Sequence, residues 1–336
     1  MMTAQNMSVG VAYNEYTNTA GQQVEHVSEE TVKDMAEEVY RHVSQLGYRA
    51  EMVPLFHDFI DFINRLKNGR YDVVVNLCEG FKDRPLMEAH VAGVYELFEI
   101  PYTGNPARTL SICQNKYQTK LLLQGAGLPT PAGQLVSSPG DLNYNVFPAI
   151  VKPNNEDASL GIYPQSVVHN LAELQTQVAK VITTYNQPAL VEQYVHGREF
   201  NVAVMDLEQP LALPVSEIDF STVPEGYPHI CSYEAKWFEG HVLYNTTIPK
   251  CPAPINDSQR QALQSIAVQA FKLMNCRDYA RVDFRMSTEG QIYILEVNPN
   301  PDISLNAGYV RALRAAQIEY GDFWNRIILK TLKRKP

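Results

Sequence analysis

Apolar and polar residues alternate along the first third of the chain in the order strand, helix, strand, helix, strand. Ser8–Tyr13 (SVGVAY) is a short apolar run, and Ser28–Leu46 carries helical periodicity that stops at Gly47. Tyr48–Leu55 and Tyr71–Leu77 (YDVVVNL) are β-branched runs of strand length, and Asp58–Lys67 between them is apolar on one helical face. This order predicts a parallel sheet with right-handed crossovers. Ligands of such sheets sit beyond the carboxyl ends of the strands, here around Tyr13–Asn18 and Asn76–Arg84.

A boundary is expected near Gly104–Ser111. A helix over Asn115–Gln124 follows, closed by GAGLPTP, where Gly and Pro make continuation costly. Next come a strand (Ala149–Lys152), a polar loop (Pro153–Gly161), a helix (Asn170–Thr183) and a strand (Ala189–Gln193). The last third has a long irregular stretch, Asp219–Pro254, then a helix (Ser258–Met274), two strands (Tyr279–Met286 and Gln291–Val297) and a terminal helical region. A loop of such length is usually functional.

Composition narrows the partners. The chain has 336 residues, 45% hydrophobic and 19% charged, as expected of a soluble globular protein with more than one subdomain. A net charge of −9 argues against nucleic acid or an anionic membrane as the main partner. The five cysteines are scattered without a CxxC pair, which suits a reducing, cytoplasmic setting rather than a disulfide framework or zinc site. Neither a signal peptide nor a membrane-spanning run is expected. The eight histidines show no ligand spacing and read as surface or packing residues.

The strongest chemical signal is RVDF…YILEVNPNP. Glu296 and Asn298 share one strand face, and Asp283 lies on the preceding strand. If the two strands pair through Thr288–Gly290, three oxygen-bearing side chains converge beside Arg281. Such a set suits Mg²⁺, which keeps waters or phosphate oxygens as its remaining ligands, and Arg281 could neutralise charge in phosphoryl transfer. The alternative, a hairpin with solvated charges, fits poorly with ionisable groups inside apolar strands. Lys116 in NKYQTK and Lys152 in AIVKPNNEDASLG suit a polyphosphate, although a lone lysine reads by default as a surface residue. In LVEQYVHGREF, Glu192 and Glu199 suit an adenine amino group and a ribose; the same letters also make an ordinary strand–turn–strand. Glu25, Glu79 and Arg84 lie near the expected strand ends, where substrate contact and solvated loop charge are equally open readings.

Taken in order, IPYTG (Ile100–Gly104), NKYQTKLLLQGAGLPTP, IVKPNNEDASLG, LVEQYVHGREF, YEAKW (Tyr233–Trp237) and RVDF…LEVNPNP resemble the D-alanine–D-alanine ligase family of ATP-grasp enzymes, from Tyr71 to about Ile328. The resemblance implies an α/β chain with α+β character in its C-terminal parts. An N-terminal Rossmann-like domain (1–110) would precede a central ATP-grasp lid subdomain (111–205) and a C-terminal ATP-grasp domain (206–336) with a metal site and mobile loop. It implies ATP as cofactor with two Mg²⁺ ions, Mn²⁺ being an alternative. Lys116 and Lys152 would contact phosphates, Glu192 with the Gln193–Val195 backbone would clamp adenine, and Glu199 would hold the ribose. Asp283, Glu296 and Asn298 would ligate the ions, and Arg281 would steady the acyl phosphate. Ser159 would lie in a loop closing over the phosphates, and Lys236 on the mobile loop, with Trp237 where the family usually has Tyr. A homodimer through the first domain is also implied.

The departures concern substrate. The family's HGxxGEDG-type motif is replaced by NLCEGFKDRPLMEAH, and its short GG-containing first turn by AYNEYTNTAGQQVEH. Where the family has a Gly and then a Ser that bind the carboxylate of the second amino acid, this chain has Asp302 and Ala307. A carboxylate at position 302 would repel an anion placed there. The leading expectation is an ADP-forming ligase that phosphorylates an acceptor carboxylate, or a vinylogous carboxylate such as a cyclic enaminone, and condenses it with an amino acid. Ligases of mycosporine-like amino acid biosynthesis are of this kind. A true D-alanine–D-alanine ligase and a non-catalytic ATP-binding module are the alternatives.

Overall fold

The structure, a computed structural model, describes residues 7–15, 27–82 and 84–334. The first sheet is parallel, with strands β1 (Ser8–Asn14), β2 (Arg49–Leu55) and β3 (Val73–Leu77) in the order β2-β1-β3. The central strand β1 is buried at every residue, hence its unbroken apolar run. Helices α1 (Val27–Gln45) and α2 (Phe59–Gly69) make the crossovers. Asp58 caps α2 by accepting from the Ile60 and Asp61 N–H groups. Glu25 lies outside the described residues.

Two further helices, α3 (Glu88–Leu97) and α4 (Ala107–Gln114), add to the expected elements. The second occupies the segment expected to be a boundary. Leu110 and Cys113 give it a buried face, so the Gly and Pro before it mark a helix start rather than a linker. Asn115 then closes α4 and caps α5 (Lys116–Gly125).

The second sheet is antiparallel, with β4 (Gly133–Val136), β5 (Ala149–Pro153), β6 (Val167–Val168) and β7 (Ala189–Gln193) in the order β4-β7-β5-β6, covered by α6 (Leu171–Tyr185). The third is also antiparallel and has six strands. Its path is β11 (Ile248–Lys250), β10 (Ser216–Asp219), β8 (Gly197–Asp206), β12 (Tyr279–Ser287) and β13 (Ile292–Asn298), with β9 (Pro210–Ala212) beside β8. Helix α9 (Asp257–Leu273) packs beneath it, and α10 (Gly308–Ala315) and α11 (Tyr320–Lys333) complete the chain.

The stretch 219–254, expected to be irregular, also holds α7 (Tyr233–Trp237) and α8 (Val242–Thr246). Each is a single turn started by a side-chain cap, Ser232 to the Ala235 N–H and His241 to the Leu243 N–H. Elements this short carry no periodicity to read. The expected divisions at 110/111 and 205/206 both cut elements, α4 and β8. Phe200, Val202 and Val204 of β8 share a core with Val282 and Phe284 of β12, so β8 belongs wholly to the third sheet. A second core joins Val9 and Val75 of the first sheet to Trp324 and Ile327 of α11.

Candidate active site

Strands β12 and β13 pair with Arg281 opposite Asn298 and Asp283 opposite Glu296. Between Asp283 and Phe284 the register shifts, so Phe284 faces Ile294 and Leu295 is the extra residue. This bulge sets the chemistry. Ile294 packs in the core, and strict alternation from it would send Glu296 inward as well. The extra residue reverses the parity, so Val297 takes the core position while Glu296 and Asn298 turn to the cavity.

Arg281 holds Asp283 in a bidentate pair, Nε to Oδ1 and Nη2 to Oδ2, each 2.7 Å. The Asn298 amide nitrogen lies 3.0 Å from Asp283 Oδ2 and 3.2 Å from Glu296 Oε1. Two carboxylates and one carboxamide therefore meet at a point. Burial raises the Asp283 carboxyl despite Arg281. For Glu296, burial pushes up, but Lys116, Lys152 and Arg281 outweigh it and hold the carboxyl well below its usual range. Among the described residues no group of three His, Cys, Asp or Glu side chains surrounds a common point. Two carboxylates beside a carboxamide fit a hard divalent ion that would draw its remaining ligands from water or phosphate.

Lys116, at the first turn of α5, reaches Glu296 Oε2 at 3.0 Å and Asp157 Oδ1 at 3.1 Å. Its position follows from Asn154, which accepts the Tyr117 N–H on its side chain and the Lys116 N–H on its carbonyl. Burial lowers the Lys116 pKa, but the two carboxylates more than offset this and raise it. Glu192, fully buried on β7, binds Lys120 through Oε1 and Lys152 through Oε2, both at 2.5 Å. Lys120 also donates to Thr130 Oγ1 and the Pro131 carbonyl. Both Glu192 oxygens are thereby committed to lysines rather than left open for an adenine amino group. Lys120 is a site residue the sequence reading missed, although its i+4 spacing from Lys116 puts both on one helix face.

Glu199 and Arg285 form a second buried pair, 3.0 Å apart; burial raises Glu199 while Arg285 opposes it. Arg285 was also missed, and its signal was the parity of Arg281 and Asp283 on β12. Gln193 and Val195 line the same cavity of about 520 Å³, as do Lys152, Glu192 and Glu199.

Two loops close over this cavity and hold each other. The Ser159 hydroxyl donates to the Cys231 carbonyl at 2.9 Å, the Trp237 indole N–H to the Ala158 carbonyl at 3.0 Å, and the Tyr233 N–H to the Ile162 carbonyl at 2.8 Å. Ala158 and Ser159 adopt φ of 54° and 64°, a left-handed pair that is costly for residues with side chains. Lys236 lies with its ammonium 4.9 Å from the Trp237 ring centre and faces the cavity.

Asp302 and Ala307 line the far end. Asp302 Oδ1 accepts the Ser304 N–H at 2.9 Å, and Ala307 is the uncapped start of α10. Glu79 and Arg84 are not brought to this cavity. The Asn14 amide ties the 79–80 backbone to the end of β1, and Phe81 and Arg84 exchange backbone hydrogen bonds, turning the loop on itself. Arg84 is exposed.

The family model for the D-ala D-ala ligase C-terminus matches residues 139–329. The chain belongs to the D-alanine–D-alanine ligase family. Its relatives include the uncharacterized protein y4sG of Sinorhizobium fredii, 35% identical over 76% of this chain and 73% of that one. The D-alanine–D-alanine ligase of Alcanivorax borkumensis is 34% identical over 73% of each chain. That of Pelotomaculum thermopropionicum is 29% identical over 87% of this chain and 89% of its own. The fold matches the crystal structure of the Bacillus anthracis D-alanine–D-alanine ligase complexed with ATP, with a TM-score of 0.72 over 97% of this chain and 98% of that one at 21% identity. The protein is therefore an ATP-grasp, ATP-dependent carbon–nitrogen ligase of this family, related to enzymes that use amino acids. No described helix is long and apolar enough to cross a membrane.

Proposed function

We propose that the enzyme transfers the γ-phosphate of ATP to an acceptor carboxylate, or to the oxygen of a vinylogous carboxylate, and that the amine of an amino acid other than D-alanine displaces it. The observation that carries this reading is the cavity's mixed character. One side is lined by Lys152, Lys236, Arg281, Asp283, Glu296 and Asn298, while its far wall presents Asp302 and Ala307. In this reading Asp283, Glu296 and Asn298 hold two Mg²⁺ ions, or Mn²⁺, and Lys116, Lys152 and Lys236 receive the phosphates. Lys236 has no ion pair within 4.0 Å among the described residues, which supports its role. Gln193–Val195 offers backbone to the adenine edge, Glu199 its remaining oxygen to the ribose, and Arg281 steadies the acyl phosphate. The bonds between Ser159 and Cys231 and between Trp237 and Ala158 give the lid a way to exclude water from that intermediate.

A role in making mycosporine-like amino acids, where the acceptor is a cyclic enaminone, is the specific form of this proposal. The five free thiols suit a cytoplasmic enzyme, and the family resemblance a homodimer through residues 1–110. A screen of ADP release over amino acids and acceptors, with free acids and cyclic enaminones among the latter, tests the proposal. Turnover is expected with an amino acid other than D-alanine. Robust release with D-alanine alone would return the enzyme to cell-wall dipeptide synthesis, as its relatives' names describe for them.

A further inference from the structure

Arg311, half-buried on the first turns of α10, lines the far end of the cavity in a setting unlike that of the other guanidinium groups there. Arg281 is matched by Asp283 and Arg285 by Glu199. Arg311 has no ion pair within 4.0 Å among the described residues. Its Nη1 donates to the Asn306 carbonyl, while its Nε is buried with no partner. Burial lowers its pKa, and the nearby Cys251 and Asp302 offset this only in part. Its Nη2 lies beside Gly308, 3.6 Å from where a Cβ would stand, next to the Asn201 side chain. Gly308 opens α10 behind Ala307, which offers no capping side chain, so the free N–H end of the helix faces the same space.

The complementary charge is close by. Asp302 lines the same wall, engages the Ser304 N–H through Oδ1, and is in no ion pair among the described residues. Asp302 and Arg311 line the same cavity as Arg281. A cation and an anion, both unpaired and both lining one cavity end, form a two-point site for a zwitterion.

We propose that Arg311 is the carboxylate-binding residue for the amine substrate, with the α10 N-terminus behind it, and that Asp302 takes that substrate's amino group on the side nearer Arg281. The inference rests on the ligase reading above and deepens it. It names the residue that would recognise the carboxylate of that amino acid. It also explains Asp302, whose charge excludes a carboxylate from its own position and directs it toward Arg311.

The test uses the full chain and the ADP-release screen, offering each amino acid beside its carboxamide. The wild type is expected to prefer the best amino acid over its amide by roughly 30-fold in kcat/KM, the cost of leaving a half-buried charge unpaired. Arg311→Met is expected to erase that preference by raising the amino acid KM, with the KM for ATP held within about twofold. Arg311→Lys should retain part of the preference, and it serves as the test variant if Arg311→Met does not fold, folding being judged by ATP binding. ADP release with wild-type discrimination in either folded variant would overturn the inference and leave the ligase reading standing. No ADP release with any pair, ATP binding being intact, would overturn both.

Discussion

Around one side of the cavity, Lys116, Lys120, Lys152, Asp157, Glu192, Arg281, Asp283 and Glu296 neutralise one another at 2.5–3.1 Å. At the far side, Asp302 and Arg311 have no opposite charge within 4.0 Å among the described residues. Burial costs both sets water, but the compensation differs. The first set is held by the protein itself and needs ATP and metal only to exchange partners. The second gains its compensation from a ligand. A ligase can therefore keep one half of its cavity rigid for a common cofactor while the other half changes its substrate through a few unpaired groups.

The hardest break of this contrast is Glu192→Ala, which strands Lys120 and Lys152 in a buried site. Loss of a buried partner costs about 3–5 kcal/mol, so thermal or urea unfolding should show a large loss of stability. Unchanged stability would show that the triad does not hold the site. Glu296→Gln keeps the shape of the cradle but removes a charge that a divalent ion needs. Turnover is expected to fall by at least about 100-fold with folding intact, as circular dichroism and ADP release would show; retained turnover would remove Glu296 from the metal cradle.

The lid lies between the two halves and should respond more mildly. Trp237→Phe deletes the hydrogen bond to the Ala158 carbonyl. About 1 kcal/mol of closure is lost, or roughly a fivefold drop in kcat/KM for ATP. An unchanged value would mean the bond does not contribute to closure.

The smallest effect concerns Glu88, buried at the start of α3 with Oε1 accepting from the Asn300 amide at 2.7 Å. Burial, then the nearby Asp157, push its carboxyl well above the ordinary 4.5. The folded protein keeps this group neutral while the unfolded chain ionises it, so stability falls as pH rises from about 4.5 through the folded-state pKa. Glu88→Gln removes that loss. The melting temperature of the variant relative to wild type should climb between pH 4.5 and 8, and a flat difference would show that Glu88 is ionised in the fold.

Much of the architecture was legible because its causes are local. The three strands of the first sheet, the helices beginning at Asp58 and Asn115 and the pairing of β12 with β13 each follow from periodicity or from a residue type at a helix start. Glu296 and Asn298 were legible as sharing one face for the same reason, whereas their meeting with Asp283 depends on the bulge. Glu79 and Arg84 do not line the cavity, because position near strand ends says nothing of how the loop between β3 and α3 folds back. The one-turn helices of 219–254 were invisible for want of length.

What the sequence by itself determined is the first sheet with its two crossover helices, helices α5, α6 and α9, strands β5 and β7, the β12–β13 pair, and the motifs on which the family resemblance rests. Tertiary structure alone decided the rest. The bulge at Leu295 turns Glu296 out of the core and into the site, a parity change that no alternation pattern announces. The Lys120–Glu192–Lys152 triad joins residues from α5, β5 and β7, and Arg311 meets the cavity only because α10 begins there. The physical reason is common to all three. Periodicity reports the face a residue turns, whereas ion pairing and cavity lining depend on which distant elements the packed sheets bring opposite it.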